Sequence, residues 1–459
     1  MTQESELTNP AQNQQSRKIK KNILAKGGWV LSARISIAVS NLLVNALLTR
    51  LLTPDEVGAY FLTFSLVSVA TLIAQLGLCP TVVKIVAEAL ALNNSARARA
   101  AVKAVFLYGT IGALAVAGIL SLGLGQWLAY RVFNSSIMAG IIQLAVFWII
   151  LLAYQNLTAE SFRSFHDIRN ASIYGGMATS IITTGLFAIL CVLKIKMDLA
   201  KVLTLTISAL SISLIIAGML IYRKIRQFAP GGQIPADDIF AVAGPMLVNS
   251  VTAFALTQAD IWVLGAFRPQ SEVAVYGAAF RLVTMINLPL IIINGVVPPL
   301  IAQMYAQGRK KELESTLRAA SSLALIASLT AFSIYLLGGR PFLELVYGKY
   351  YRDGAIILWI LSLGQIVSVA CGSCGFTLTM TGHQNKIVRL TLTSFVILVI
   401  SALILVKPFG AVGVAIASAA TIALQNLMAL AFAKKYTGMW THARFSLVPV
   451  KQFLQKVRG

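Results

Sequence analysis

The chain has 459 residues, of which 57% are hydrophobic and 12% are charged, and its formal net charge is +22. So few charged side chains cannot cover the surface of a water-soluble protein of this size, and the mean hydropathy of +0.78 also excludes that class. The sequence therefore predicts an integral membrane protein.

Apolar runs long enough to cross a bilayer follow one another along the chain, since one helical crossing needs about 20 residues. A polar arm that ends in a basic cluster, residues 1–26, precedes them and lacks the apolar core of a cleaved signal, so we expect it to be retained. The predicted spans are 28–50, 57–79, 104–125, 137–157, 172–193, 202–222, 239–265, 274–298, 319–338, 355–380, 387–406 and 410–433. We therefore predict an all-α membrane protein with about twelve transmembrane helices.

A charged segment rich in Pro and Gly, residues 223–238, separates two groups of six spans. It predicts a cytoplasmic linker between an N-terminal lobe, 27–222, and a C-terminal lobe, 239–433, with a basic tail at 434–459. Most Lys and Arg then lie on one side, so the positive-inside rule places both termini in the cytoplasm, although Lys194 and its neighbours oppose it. Attraction to anionic lipid accounts for the net charge without nucleic acid.

One stretch of the second span recurs in the eighth. The residues that match at one constant offset are Glu56, Val57, Tyr60, Phe64, Leu66 and Val67 in the first copy, and Glu272, Val273, Tyr276, Phe280, Leu282 and Val283 in the second. An even number of spans per half gives both halves the same orientation. The repeat therefore predicts two parallel six-helix units, which in secondary transporters enclose the substrate path.

Polar side chains inside the spans mark a candidate path, because a charge at the centre of a membrane helix costs about 2.5 to 3.5 kcal/mol on insertion scales. Arg34 on the first span and Arg281 on the eighth are the basic members. The amide side chains that accompany them on the first, second and seventh spans are Asn41, Asn45, Gln75 and Asn249. Spans one, two, seven and eight are predicted to outline a polar cleft, with hydrogen bonding between helices as the alternative role of the amides.

The charged residues of this cleft predict two different tasks. Arg34 and Arg281 suit an anionic headgroup, because a guanidinium stays charged when buried and binds phosphate oxygens in pairs. Asp260 is the only carboxylate near the middle of a span, and it is a candidate for coupling to H⁺ or Na⁺. A static ion pair with an arginine is the alternative for Asp260.

Catalytic residues, metal ligands and cofactors are not expected. The three histidines are scattered, and the four cysteines lie in or beside apolar segments, where a thiol behaves as a small hydrophobic group. The loops are short and carry no clustered acids, bases and nucleophiles of the kind that an enzyme needs.

Several short motifs spread over the chain match one family. They are Arg34, Leu52-Thr-Pro-Asp-Glu-Val-Gly-Ala-Tyr60, Ser65 to Gly77, Asp260-Ile-Trp-Val-Leu-Gly265, Val273-Ala-Val-Tyr276, Tyr347-Gly-Lys-Tyr-Tyr351 and Gly410-Ala-Val-Gly413. On these residues the sequence resembles, over nearly its whole length, the polysaccharide flippases or O-antigen translocases of the multidrug/oligosaccharidyl-lipid/polysaccharide (MOP) exporter superfamily.

The resemblance implies a V-shaped, two-lobed bundle that works by alternating access. It would move an undecaprenyl-pyrophosphate-linked oligosaccharide from the inner to the outer leaflet of the bacterial inner membrane, driven by a cation gradient. The implied partners are this glycolipid, the bilayer, a polysaccharide polymerase and a chain-length regulator, with no nucleic acid.

Two alternatives stay open at this point. A multidrug/cation antiporter of the same superfamily also has twelve spans, although a basic cleft favours an anionic substrate. A membrane enzyme or scaffold of polysaccharide assembly is the alternative from a different class.

Overall fold

A computed structural model describes residues 32–195, 197–231 and 234–444, and almost all of them are helical. In this part of the chain, eleven helices are long and apolar enough to cross a membrane. They are α1 (Ser32–Leu51), α2 (Pro54–Ala91), α3 (Ser95–Val132), α4 (Ile142–Ser164), α5 (Ile168–Val192), α6 (Leu199–Arg226), α7 (Ala236–Phe267), α8 (Gln270–Asn294), α9 (Lys310–Tyr347), α10 (Lys349–Cys371) and a final helix, Gln384–Thr437. The predicted arm, residues 1–26, lies outside the described residues, as does the tail from residue 445 onward.

The final helix consists of two crossings. Its 54 residues correspond to about 80 Å of helical rise, whereas the hydrocarbon core is about 30 Å thick. Gly410 interrupts it with a φ of 56° and a ψ of −136°. We call the part before Gly410 α11 and the part after it α12. The described residues therefore form twelve membrane helices, which confirms the predicted all-α architecture.

Consecutive helices run in opposite directions, so their connections alternate between two ends of the bundle. We call the end that carries the connections after α2, α4, α6, α8 and α10 the terminal end, because α1 begins there and α12 ends there. The opposite end is the distal end. The distribution of Lys and Arg predicts that the terminal end faces the cytoplasm.

Breaks in the helices recur in both halves, as a duplication requires. Helix α2 breaks around Gly77, and its counterpart α8 ends at Asn294 before a short helix, Val297–Ala306. Helix α3 is interrupted at Gly123, and α9 has its corresponding distortion at Gly338. The repeat found in the sequence of the second span therefore extends to the geometry of the lobes.

The predicted end of the tenth span was wrong. The tenth span, expected at 355–380, ends at Cys371, because Gly372 has a left-handed φ of 71° and a separate short helix, Cys374–Met380, follows. The linker is shorter than the predicted segment 223–238. Its last, acidic residues lie in the first turn of α7, and its first, basic residues lie in the last turn of α6. At both positions the side-chain charge is opposite in sign to that end of the helix dipole and stabilises the helix.

The repeated glutamate joins two helices of each lobe at the distal end. Glu56 Oε1 accepts a hydrogen bond of 3.2 Å from the backbone N–H of Leu199, the first residue of α6. Glu272 Oε1 accepts one of 2.6 Å from the N–H of Ala411, where α12 begins. A carboxylate suits this position because the first N–H groups of a helix have no partner within the helix. The same residue thus makes the same tie in both lobes.

Glycine at position 410 permits the second of these ties. A Cβ atom at Gly410 would overlap Glu272 Oε1, and the left-handed φ would itself strain any other residue. Arg268 donates from Nε to the other oxygen of Glu272 over 2.7 Å, so both carboxylate oxygens are bound.

The two lobes contact each other closely at the distal end. A Cβ atom at Gly58 of α2 would overlap the carbonyl oxygen of Gln270, the first residue of α8. Deeper along the same interface, Phe61 of α2 packs on Gly277 of α8. Arg50 Nη2, at the end of α1, donates 3.0 Å to the carbonyl oxygen of Leu345 in α9. The distal end is therefore closed.

Helix α7 belongs to both lobes. Its first part packs on the N-terminal lobe, where Ile239 and Ala243 are fully buried in a cluster with Leu78 and Val82. Its second part packs on α12 of the C-terminal lobe. Pro245 lies inside the helix between the two parts, at a position where a proline removes one backbone hydrogen bond.

The start of the tail folds back against the terminal end of the C-terminal lobe. Ser321 Oγ of α9 donates 2.8 Å to the carbonyl oxygen of Thr441, and Thr441 Oγ1 donates 2.8 Å to that of Cys371. His442 Nε2 lies 3.0 Å from Arg318 Nη2. This segment satisfies carbonyl groups that the end of α10 leaves free.

We expect Glu272→Ala to lower the unfolding free energy by about 1 kcal/mol, because it removes the capping acceptor at the start of α12. The measurement is thermal unfolding of the detergent-purified protein. Glu344→Ala is the matched control, because Glu344 makes only an exposed ion pair with Arg352 at the same end. Equal stability of the two variants would contradict the capping role.

We expect the attachment of the tail to weaken in acid. Burial, and then the charge of Arg318, hold the pKa of His442 below its ordinary value of 6.5, while Glu314 opposes this shift. The folded protein therefore favours neutral His442, and its contribution is present above pH 6.5 and is lost as the pH falls through the lowered pKa. Between pH 7.5 and 5, the unfolding temperature should drop further in the native protein than in His442→Gln. Parallel drops would show that His442 does not contribute.

Candidate substrate path between the lobes

Arg281 lies on α8 at the interface between the lobes and faces aromatic rings of the opposite lobe. Its Cζ atom is 5.0 Å from the ring centroid of Phe64 and 5.6 Å from that of Phe61, both on α2. Rings at these distances stabilise a guanidinium through their negative faces. Among the described residues, no carboxylate pairs with Arg281, so its charge is stabilised but not neutralised.

Two tyrosine hydroxyl groups complete the surroundings of Arg281. Tyr60 of α2 and Tyr347 at the end of α9 are close enough to interact with it electrostatically. The Tyr347 hydroxyl is buried and forms no hydrogen bond with any described residue. An arginine with free donors beside an unsatisfied hydroxyl forms a polar pocket inside an aromatic wall, which suits a polar, negatively charged group.

Arg34 lies at the other end of the same interface. It is exposed near the start of α1, and its Nη1 atom would be 3.7 Å from a Cβ atom built on Gly295, just after α8. Gly295 follows Arg281 by fourteen positions, which is about 20 Å of helical rise. In this conformation the two arginines therefore cannot bind the same pyrophosphate, and any contacts with one group would be successive.

Asp260 is buried inside the C-terminal lobe, between α7, α8 and α12. Its Oδ2 atom accepts hydrogen bonds from Tyr276 Oη at 2.6 Å and from Ser418 Oγ at 3.3 Å. Its Oδ1 atom accepts from the backbone N–H of Ile261 at 2.8 Å. Its partners are therefore neutral groups, and no cation of the described chain forms a salt bridge with it.

The amide side chains predicted to line the path differ in burial and in hydrogen bonding. Asn41 is exposed, whereas Asn45 is buried and donates from Nδ2 to the Asn41 carbonyl oxygen at 2.6 Å. Gln75 is buried at the break in α2, where its Oε1 atom accepts from Cys79 Sγ at 3.4 Å. Asn45 Oδ1 and Gln75 Nε2 lack a hydrogen-bond partner among the described residues. The side chain of Asn249 lies outside the description.

Sequence reasoning missed the partners of the charged residues. The aromatic wall of Arg281 comes from α2, and Tyr276 and Ser418 come from helices other than that of Asp260. One signal was available, because Tyr276 and the aromatic residues of α2 belong to the repeated stretch. Their recurrence indicated a shared role but not which charge each residue contacts.

Two sequence families match this chain. The family described as polysaccharide biosynthesis protein matches residues 23–305, which is more than half of the chain. The MatE family matches residues 245–405.

Two relatives in sequence are proteins of glycan assembly. The probable low-salt glycan biosynthesis flippase Agl15 of Haloferax volcanii is 23% identical over 193 residues, which are 42% of this chain and 41% of that protein. The capsular polysaccharide biosynthesis protein CapF of Staphylococcus aureus is 26% identical over 169 residues, 37% of this chain and 39% of CapF. The chain thus matches about two-fifths of the length of each relative.

Solved structures share the architecture. An inward-facing multidrug resistance MATE family transporter of the MOP superfamily superposes with a TM-score of 0.71 at 14% identity, covering 89% of this chain and 98% of the transporter. The lipid II flippase MurJ, in an inward closed conformation, gives 0.67 at 13% identity and covers 94% and 90%. Such low identities establish the fold alone. The protein belongs to the polysaccharide biosynthesis protein family and has the two-lobed helical fold of the MOP superfamily.

Proposed function

We propose that the protein is a flippase for an undecaprenyl-pyrophosphate-linked oligosaccharide. It moves this glycolipid from the cytoplasmic to the outer leaflet of the bacterial inner membrane, for surface polysaccharide such as O-antigen. Membership of the family, the fold and the two relatives of glycan assembly support this proposal. The observation that carries it is Arg281, a cation without a carboxylate partner among the described residues, placed between the lobes.

The physical problem of such a transporter is the pyrophosphate. The lipid tail can stay in the bilayer, but the phosphate oxygens lose their water inside the membrane and need replacement donors. Arginine supplies paired donors and remains charged at low dielectric. The aromatic wall holds Arg281 in place while the path is empty, without consuming the charge that a phosphate requires.

The separation of the two arginines gives the transport an order. Arg34, at the terminal end, contacts the pyrophosphate as it enters from the cytoplasm, and Arg281 receives it closer to the distal end. The exposed and unsatisfied amides, Asn41, Asn45 and Gln75, contact the sugar, and we assign Asn249 to the same path. Separation of the distal contacts then releases the substrate to the polymerase and the chain-length regulator.

Asp260 is the candidate for coupling transport to an ion gradient. It is buried, and Tyr276 and Ser418 offer it hydrogen bonds but no compensating charge. A buried carboxylate in such a site is neutralised most readily by a proton or by Na⁺. Release of this ion would change the hydrogen bonds that join α7, α8 and α12.

A multidrug/cation antiporter is the second candidate, and the MatE match over residues 245–405 favours it. It would bind a cationic drug at Asp260, but this carboxylate is enclosed within one lobe, whereas Arg281 faces the other lobe. The charge between the lobes therefore favours an anionic substrate. A membrane enzyme or a scaffold of polysaccharide assembly would leave the glycolipid on its original leaflet.

Arg281→Ala should reduce surface polysaccharide at least about tenfold, because one charge-assisted contact to phosphate is lost. Arg281→Lys should recover only part of the activity, since the charge returns without the paired donors. The assay complements a deletion strain and measures surface polysaccharide beside the membrane abundance of the tagged protein. Arg34→Ala should also lose transport.

Arg340→Ala is the matched control, because Arg340 is an exposed arginine of α9 in the same lobe as Arg281. It should keep both abundance and activity. If Arg281→Ala and Arg34→Ala are both abundant and fully active, the phosphate-binding role is wrong. In proteoliposomes, failure of the native protein to move labelled glycolipid under any ion gradient would overturn the flippase itself.

Asp260→Asn should transport with a weaker dependence on the imposed gradient of H⁺ or Na⁺. An amide carries no negative charge, so neither ion is needed to neutralise it. The measurement is the initial transport rate in proteoliposomes with and without the gradient. Ser418→Ala is the control, since it removes one hydrogen bond but keeps the carboxylate. Normal transport by Asp260→Asn with unchanged gradient dependence would eliminate the coupling role.

A further inference from the structure

A cavity lies away from the lobe interface, on the N-terminal lobe at the terminal end. It has a volume of about 730 Å³ and lies between α3, α4 and α6, with α4 packed against both of the other helices. Cavities of this size hold small organic ligands. The residues that define its character are Arg99, Lys103, Phe106, Tyr154, Gly218 and Arg226. We call it the basic groove.

Three cations line the mouth of the basic groove. Arg99 and Lys103 are one turn apart near the start of α3, and Arg226 is the last residue of α6. None of the three forms a salt bridge within the described chain. Arg99 Nη1 donates 2.9 Å to the carbonyl oxygen of Phe228, which fixes the guanidinium, while Arg99 Nε is buried without a partner among the described residues. The mouth thus presents a held, unneutralised positive charge.

Below the cations the walls are mainly apolar and open toward lipid. Leu107 of α3 is 59% exposed and Met219 of α6 is 58% exposed, so the surfaces that flank the groove are those that face hydrocarbon. A Cβ atom at Gly218 would meet nothing within 4 Å, so the groove is empty beside α6. Its shape matches a molecule with an anionic head at the membrane boundary and an apolar chain below it.

The C-terminal lobe has a corresponding cavity, of about 460 Å³, between α9, α10 and α12. Its lining contains no Lys or Arg among the described residues, and the chain's own tail, with Trp440 and His442, forms part of its wall. The duplicated fold therefore produces a groove at this place in each lobe. Only the N-terminal copy carries the three cations, so their presence does not follow from the fold.

We propose that the basic groove binds an anionic phospholipid of the surrounding membrane. The phosphate lies against Arg99, Lys103 and Arg226, and one acyl chain runs between α3 and α6 past Gly218. Basic pockets between transmembrane helices on the cytoplasmic side are suited to anionic headgroups, and each cation near the headgroup adds to the affinity. The bound lipid would fill the groove of this lobe, as the tail partly fills the corresponding groove of the other lobe.

Native mass spectrometry of the purified full chain tests this site, with phosphatidylglycerol as the probe and phosphatidylcholine as its neutral counterpart. The native protein should retain phosphatidylglycerol preferentially. Joint replacement of Arg99, Lys103 and Arg226 by Gln should reduce its binding at least about tenfold. Joint replacement of Lys84, Lys311 and Arg389 by Gln removes the same charge elsewhere and should leave binding unchanged. Equal loss in both triple variants would overturn the proposal, because the attraction would then be general.

Gly218→Leu tests the groove without changing any charge. The leucine fills the space beside α6, and helix propensity favours it over glycine, so the variant should fold. It should lose phosphatidylglycerol, whereas Gly118→Leu on α3, where a Cβ atom would also meet nothing, should retain it. Undiminished binding by Gly218→Leu would overturn the proposal.

A final arm separates membrane phospholipid from the proposed transport substrate, which carries the same phosphate chemistry. Undecaprenyl pyrophosphate, added at equal concentration, should not displace phosphatidylglycerol from the native protein. Displacement of phosphatidylglycerol from the native protein would overturn the proposal, because the groove would then belong to the substrate path. Since binding is measured without transport, failure of this proposal is distinguishable from failure of the flippase function.

Discussion

The absence of hydrogen-bond partners in hydrocarbon is the constraint on which this architecture depends. It explains why the described chain is almost entirely helical, and it also explains how the helices stop. Where α12 begins, the carboxylate of Glu272 accepts from Ala411. Where α10 ends, Thr441 of the tail donates to the Cys371 carbonyl oxygen. At both of these helix ends a side chain from elsewhere in the chain thus supplies the missing hydrogen-bond partner.

Comparison of the two duplicated lobes distinguishes residues with the same role in both copies from residues that differ between the copies. Glu56 and Glu272 occupy equivalent places and make equivalent bonds. At the same offset, Asp260 corresponds to buried Val44, and Arg281 corresponds to buried Ser65. The charges therefore occur in one copy only, on a scaffold that both copies share. This asymmetry suits the proposed flippase with one charged path, because two identical lobes would repeat the costly charges.

Most of the fold could be predicted from sequence, because apolar runs and polar breaks are local properties. The end of α10 could not, since the residues on both sides of Gly372 are similarly apolar and only the backbone conformation separates them. The charged positions of the candidate site were equally visible. Their partners were not, because Phe64 meets Arg281 and Ser418 meets Asp260 through contacts between distant parts of the chain. Pairing of this kind depends on helix rotation, which composition does not encode.

Helix α7 connects the two lobes mechanically, because each of its two parts is attached to a different lobe. Its first part, with Ala243, is buried in the N-terminal lobe, and its second part packs on the C-terminal lobe, with Pro245 between them. Both attachments tie the lobes to one helix, and the proline, which lacks a backbone hydrogen bond, is the point where this helix resists bending least. In the proposed transport cycle, stiffness at this single point would set how far the path opens, independently of the affinity of the substrate.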